Sequence, residues 1–118
     1  MDLDHLNLRV RDPAECRAFY ERWFDFSHAF DAEGGFFLRN RAGFLLALVP
    51  AEPHVPLPAG VHIGFSLPSP DEVVARHVAM AEGGVRGGGL EDSRPGDDYV
   101  TFRCWDPDGT EIEQYWEA

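Results

Sequence analysis

The chain contains an internal repeat that relates its first strand-like segment to a segment in its middle. Residues 4–15 and 61–72 each place a His ahead of apolar residues at every second position, followed by a Pro and then by a carboxylate. An offset of 57 residues relates His5 to His62 and Pro13 to Pro70. Alternation of this kind has the period of a half-buried strand, and Pro in the first turn of a helix loses no hydrogen bond. Each copy is therefore predicted to begin with a strand that leads into a helix.

The remainder of each copy contains one helical segment and three further strand-like runs. Apolar stripes at helical spacing predict helices over residues 13–24 and 70–82. The predicted strands that follow them are 27–30, 35–38 and 44–49 in the first copy, and a weak piece near Val85, 99–105 and 110–116 in the second. The pattern predicts an α+β chain of two tandem βαβββ modules.

The module boundaries follow from a Pro-rich stretch and from one strong turn. Residues 50–58 contain four Pro and predict a stiff linker. The sequence Asp-Pro-Asp-Gly at 106–109 predicts a hairpin, and its Gly109 corresponds to Gly43 at an offset of 66. We therefore expect a single domain over 1–118, with module 1 at about 2–50, a linker at 51–59 and module 2 at about 60–117.

The charge of the chain limits its partners. Twenty-one acidic against ten basic residues give a formal charge of −11, which repels phosphate backbones and anionic membrane surfaces. No apolar run approaches the roughly 18 residues that a membrane span needs. Cys16 and Cys104 are far apart and outside any CxxC pattern, which indicates buried thiols in a reducing compartment. We expect a cytoplasmic protein that binds neither nucleic acid nor membrane.

Strand alternation also indicates which side chains share the face opposite the helices. If Leu6, Leu8, Ile63 and Phe65 pack inward, the residues between them face the other way. The same alternation applies to the strand at 99–105. The side chains expected on this face are His5, Asn7, Arg9, His62, Ser66, Thr101 and Arg103.

Taken as an ordered set, these motifs resemble the vicinal oxygen chelate superfamily, over nearly the whole chain. The set is the paired βαβββ units, a His in each first strand, and the Asp-Pro-Asp-Gly hairpin that leads to Ile112-Glu113. Members of that superfamily include glyoxalase I, extradiol dioxygenases, fosfomycin-resistance transferases and bleomycin-resistance proteins. The resemblance implies a curved mixed sheet around a cavity.

The resemblance also implies metal ligands on the first and last strand of each module. The matching positions are His5, His62 and Glu113, and the repeat offset places the fourth position at Ala47, which has no donor atom. Two imidazoles and one carboxylate leave roughly three octahedral positions open, as in non-haem iron oxygenases. Such a set suits divalent Fe, Mn, Ni, Co or Zn, and the sequence does not choose among them.

Other side chains on this face are candidates for substrate contact. Tyr115 follows Glu113 on the same face and is a candidate proton donor, or else an aromatic residue at the rim. Arg103 can anchor an anionic group, or it can pair with Glu111 or Glu113. Asn7, Ala47, Ser66 and Thr101 complete the predicted substrate-binding set.

The resemblance leaves three functions open. The first is a metal-dependent, dioxygenase-like enzyme that acts on a small molecule with adjacent chelating oxygens. The second is a non-catalytic, dimeric antibiotic-binding protein of the bleomycin-resistance type. The third is a glyoxalase-like lyase or a thiol transferase. In each case we expect a small-molecule ligand and a homodimer. The superfamily joins its half-sites either within one chain or between two chains, and we expect His5 of one chain to meet His62 and Glu113 of the other.

Overall fold

The computed structural model describes residues 1–118, and the chain divides into two compact units, Met1–Pro56 and Leu57–Ala118. The first contains β1 (His5–Val10), α1 (Pro13–Trp23), β2 (Ser27–Ala32), β3 (Gly35–Arg39) and β4 (Leu45–Pro50). The second contains β5 (His62–Ser66), α2 (Pro70–Glu82), β6 (Glu91–Asp92), β7 (Tyr99–Trp105) and β8 (Glu111–Glu117). Each unit is one βαβββ module, which confirms the predicted fold class.

Both helices begin where the sequence predicts, because each has the same type of cap. The Asp12 side chain accepts a hydrogen bond from the Glu15 amide, and the Ser69 side chain accepts one from the Glu72 amide. A Pro follows each cap in the first turn of the helix. The two strand-to-helix connections are therefore built in the same way.

Each module forms one four-stranded mixed sheet. The strand orders are β1-β4-β3-β2 and β5-β8-β7-β6, so the first and last strands of a module are parallel neighbours. In module 1 Asn7 pairs with Ala47, and in module 2 Gly64 pairs with Glu113. These pairs are related by the two repeat offsets, so the registers of the two modules match.

Within each module the core lies between the helix and one face of the sheet. In module 1 the alternation predicted for β1 is observed, since Leu8 and Val10 are buried while His5, Asn7 and Arg9 are exposed. The buried residues of α1 are Cys16, Phe19 and Tyr20. In module 2 the core includes Val73, Met80, Val100, Phe102, Cys104 and Ile112. Both cysteines are free and buried.

The second strand of module 2 differs from its prediction. The weak piece predicted near Val85 is present only as an isolated antiparallel bridge between Gly87 and Cys104, and the second strand is the two-residue β6, at Glu91–Asp92. The Val85 amide donates to the Met80 carbonyl at the end of α2, so this residue closes the helix terminus. Gly88 and Arg86 then join β7 through backbone hydrogen bonds to Arg103 and Trp105.

Candidate metal centre

His62 has an orientation that leaves Nε2 for a metal. Its Nδ1 lies 3.0 Å from the Gly60 carbonyl oxygen, which can only accept a hydrogen bond, so Nδ1 carries a proton. Nε2 is then the nitrogen that a metal could bind. Metal-binding imidazoles are oriented in this way, by a carbonyl or carboxylate on the other nitrogen.

Glu113 is oriented by two hydroxyl groups. Its Oε2 accepts hydrogen bonds from Tyr99 Oη at 2.6 Å and from Thr101 Oγ1 at 2.7 Å. Burial alone would raise the pKa of Glu113, but these two hydrogen bonds, with the charges of Arg103 and His62, outweigh burial and lower the pKa. Glu113 is therefore a carboxylate whose Oε1 is directed away from its hydroxyl partners.

The free nitrogen of His62 and the free oxygen of Glu113 face each other. Nε2 and Oε1 are 3.7 Å apart, which is too long for a hydrogen bond. Two ligand bonds of about 2.1 Å to one ion can span up to about 4.2 Å between the donor atoms. One nitrogen and one oxygen donor at this separation fit a divalent cation, in both chemistry and distance.

Arg103 lies beside this pair and forms ion pairs with carboxylates. Its Nη1 is 2.6 Å from Glu111 Oε2, and its Nη2 is 3.9 Å from Glu113 Oε2. Glu111 Oε2 is also 3.8 Å from His62 Nδ1. Arg103 therefore forms the ion pair that the sequence offered as the alternative to an anion anchor.

The other predicted residues of module 2 lie on the same strands. Tyr115 pairs in register with Ser66 on β5 and with Thr101 on β7. Its ring stacks on that of Tyr99, with centroids 5.9 Å apart. Thr101 is buried, Tyr115 is half-buried and Ser66 is exposed.

In module 1, His5 has an orientation that corresponds to that of His62. Its Nδ1 is 2.8 Å from Asp4 Oδ1, and this hydrogen bond lowers the pKa of Asp4, so the carboxylate accepts and Nδ1 carries the proton. His28 and His77 instead use Nε2, toward Asp31 and the Gly88 carbonyl. Among these four histidines, only His5 and His62 keep Nε2 for another partner.

The remaining predicted residues of module 1 flank His5 in the sheet. Asn7 is exposed on β1, two residues after His5, and its partner Ala47 is 3% exposed on β4. No group of three or more His, Cys, Asp or Glu side chains in this chain is arranged to hold a metal ion. Metal binding by His62 and Glu113, and by a third ligand that joins them, remains a prediction.

The sequence did not predict three groups that orient the candidate ligands. Tyr99 lies two residues before Thr101 on β7, so the alternation that predicts Thr101 and Arg103 on this face of the sheet also predicts Tyr99 there. The Gly60 carbonyl and the Asp4 carboxylate carried no comparable signal. A single backbone carbonyl or adjacent carboxylate becomes a partner only through the local chain conformation.

Comparison with known proteins shows the family of the chain. The family model of the Glyoxalase/Bleomycin resistance protein/Dioxygenase superfamily matches residues 2–114. The chain belongs to this superfamily. Among curated proteins, none matches the chain in sequence. The vicinal oxygen chelate resemblance is thereby confirmed at the level of the superfamily.

Solved structures of the superfamily share the fold. A possible glyoxalase from Bacillus cereus is 27% identical, with a TM-score of 0.83 and 97% of each chain covered. The fosfomycin resistance protein FosX from Listeria monocytogenes is 19% identical, with a TM-score of 0.86, covering 100% of this chain and 94% of its own. A FosX variant from the same organism, complexed with Mn(II) and 1S,2S-dihydroxypropylphosphonic acid, is 19% identical with a TM-score of 0.78, covering 96% of this chain and 87% of its own.

Neither helix of this superfamily member is long and apolar enough to cross a membrane.

Proposed function

We propose that the protein is a divalent-metal-dependent enzyme of the vicinal oxygen chelate type, with His5, His62 and Glu113 as its metal ligands. The carrying observation is the pair formed by His62 Nε2 and Glu113 Oε1, which are 3.7 Å apart and oriented by partners on their other atoms. The substrate is a small molecule that chelates through adjacent oxygens. The metal is Fe, Mn, Ni, Co or Zn.

Support for metal use also comes from the superfamily. The FosX variant of Listeria monocytogenes is complexed with Mn(II) and a dihydroxypropylphosphonic acid, which carries adjacent hydroxyl oxygens. The same fold in this chain carries a nitrogen and an oxygen donor at a separation that one ion can bridge.

The division of roles follows from the contacts of each side chain. A bound cation would supply Lewis-acid polarisation and a template for the substrate oxygens. His62 contributes Nε2, and Glu113 contributes Oε1 while Tyr99 and Thr101 retain Oε2. Tyr115 Oη is the proposed proton donor to a bound oxygen, because its ring stacks on that of Tyr99 beside Glu113. Asn7, Ser66 and Thr101 are the proposed substrate contacts.

The open coordination positions favour a dioxygenase-like site over a four-ligand, glyoxalase-like site. Ala47 holds the register position that corresponds to Glu113, and it has no donor atom. Three protein ligands leave room for two adjacent substrate oxygens and a further small molecule. We propose dioxygenase-like chemistry for this reason.

The test is metal binding by the wild-type protein and by Glu113→Gln. The wild type, purified without chelator and titrated with Mn(II) or Fe(II), should bind one ion per chain. Glu113→Gln should lower the affinity by at least about 100-fold, because it removes the only anionic ligand. Isothermal titration calorimetry and elemental analysis measure both quantities.

Glu117→Gln is the matched control. Glu117 lies on the same strand and is exposed, and its substitution removes the same charge. It should leave the metal affinity unchanged. A wild-type protein that takes up none of the five metals would overturn the enzyme proposal and favour the non-catalytic antibiotic-binding alternative.

A further inference from the structure

The candidate metal centre of module 2 has one permanent cation among its strand residues. β5, β7 and β8 contain no Lys and a single Arg, Arg103. Among these strands, an anionic substrate group would need this guanidinium, because Arg is the side chain best suited to bind phosphate and carboxylate groups through paired hydrogen bonds. Whether Arg103 is accessible to an anion therefore decides whether the strands of module 2 can hold an anionic group.

Two carboxylates already flank Arg103. Glu111 Oε2 lies 2.6 Å from Nη1, a direct charge-assisted hydrogen bond, and Glu113 Oε2 lies 3.9 Å from Nη2. An incoming anion would have to displace Glu111 or bind beside both carboxylates. The net charge of −11 adds to this repulsion.

We infer that Glu111 masks Arg103, so that the site selects an uncharged oxygen-bearing substrate and rejects phosphate- and phosphonate-bearing molecules. The inference names the substrate class of the proposed metal centre and rests on that proposal. Arg103 keeps N–H groups that can donate to a neutral oxygen, because Glu111 occupies only part of the guanidinium. The stacked rings of Tyr99 and Tyr115 provide an uncharged surface beside it.

Glu111 is thus a positioning residue that acts through Arg103. It can be replaced without removing the contact that orients His62, because His62 Nδ1 is hydrogen-bonded to the Gly60 carbonyl and is 3.8 Å from Glu111. Loss of a structural contact alone would not create a new binding specificity. A gain of anion affinity on removing Glu111 is therefore diagnostic.

The experiment titrates methylphosphonate, together with acetohydroxamic acid as a probe of the metal that chelates through two adjacent oxygens with loss of a proton, into Mn(II)-loaded and metal-free protein. Relative to wild type, Glu111→Gln should bind methylphosphonate roughly tenfold more tightly or better, the ratio expected for one charge-assisted hydrogen bond. Glu111→Ala should show the same gain. Adding Arg103→Gln to Glu111→Gln should abolish the gain, and Glu117→Gln should show none.

The two arms separate this inference from the proposed function. The methylphosphonate gain should persist without metal, because it depends on Arg103, whereas acetohydroxamic acid should bind only the Mn(II)-loaded protein. Equal methylphosphonate affinity in the wild type and Glu111→Gln would overturn the masking role. So would an equal gain in Glu117→Gln. Failure of the wild type to bind Mn(II), with the metal-free gain intact, would refute the metal centre alone.

Discussion

Tyr99 and Thr101 donate hydrogen bonds to the same oxygen of Glu113. These two hydrogen bonds determine which carboxylate oxygen is left to bind a metal. With Oε2 accepting two hydrogen bonds, Oε1 is the atom directed toward His62. Burial and the hydrogen bond to Glu113 both raise the pKa of Tyr99, so its hydroxyl remains a donor at neutral pH. Oε1 is therefore the atom that Glu113 would offer to a metal.

Replacement of Tyr99 by Phe tests this positioning role. The variant keeps the ring that stacks on Tyr115 but loses the hydroxyl donor to Oε2. We expect Mn(II) affinity to fall about tenfold, the lower end of the range for groups that orient a metal ligand. Calorimetric titration of the metal measures the change.

Tyr115→Phe is the contrasting variant. The hydroxyl of Tyr115 is proposed to serve the substrate and not Glu113, so metal affinity should stay within about twofold of wild type. Equal losses of affinity in Tyr99→Phe and Tyr115→Phe would contradict a specific role for Tyr99.

For individual residues, the alternation of the sequence was sufficient to predict which side chains of β7 lie beside Glu113. Thr101 and Arg103 lie on β7 beside Glu113, as the two-residue period of a strand predicts. The choice between an anion anchor and an ion pair for Arg103 required its distance to Glu111. The protonated nitrogens of His5 and His62 depend on Asp4 and on the Gly60 carbonyl, which only local backbone geometry brings into reach.

The repeat is most informative at the level of strands. The registers Asn7–Ala47 and Gly64–Glu113 show that Ala47 occupies in module 1 the place of Glu113 in module 2. Helix starts were predictable because Asp12 and Ser69 act as local caps. The strand β6 was not predictable, because a strand of two residues is too short to show a periodic signal.

Replacement of Ala47 by Glu tests this register equivalence. The new carboxylate is expected to supply a fourth ligand, raising Mn(II) affinity by about tenfold or more. Ala47 is 3% exposed, so without metal the larger polar side chain should lower the free energy of unfolding by about 1–3 kcal/mol. Urea denaturation with and without Mn(II) measures this stability difference.

Ala47→Gln controls for side-chain volume, because it introduces a similar shape without a charge. It should destabilise the protein to a similar extent but gain little metal affinity. If Ala47→Glu binds Mn(II) no better than Ala47→Gln, Ala47 does not correspond to a ligand position.

For the whole molecule, the central question is which chain supplies the proposed third metal ligand, because the three candidate ligands are divided between the two compact units. His5 belongs to Met1–Pro56, whereas His62 and Glu113 belong to Leu57–Ala118. We propose a homodimer in which His5 of one chain joins His62 and Glu113 of the other. The repeat predicted two modules because the strands and helix of each module come from one continuous segment of the sequence. The pairing of modules depends on surfaces for which the sequence has no periodic signal.

The most direct test of the metal centre is a crystal structure of the Mn(II)-loaded protein with an anomalous difference map. We predict one peak per chain, about 2.1 Å from His62 Nε2 and Glu113 Oε1, with the His5 imidazole of the other chain as the third protein ligand. Ala47 should provide no ligand. A map with no peak between His62 and Glu113 would contradict the proposed metal centre.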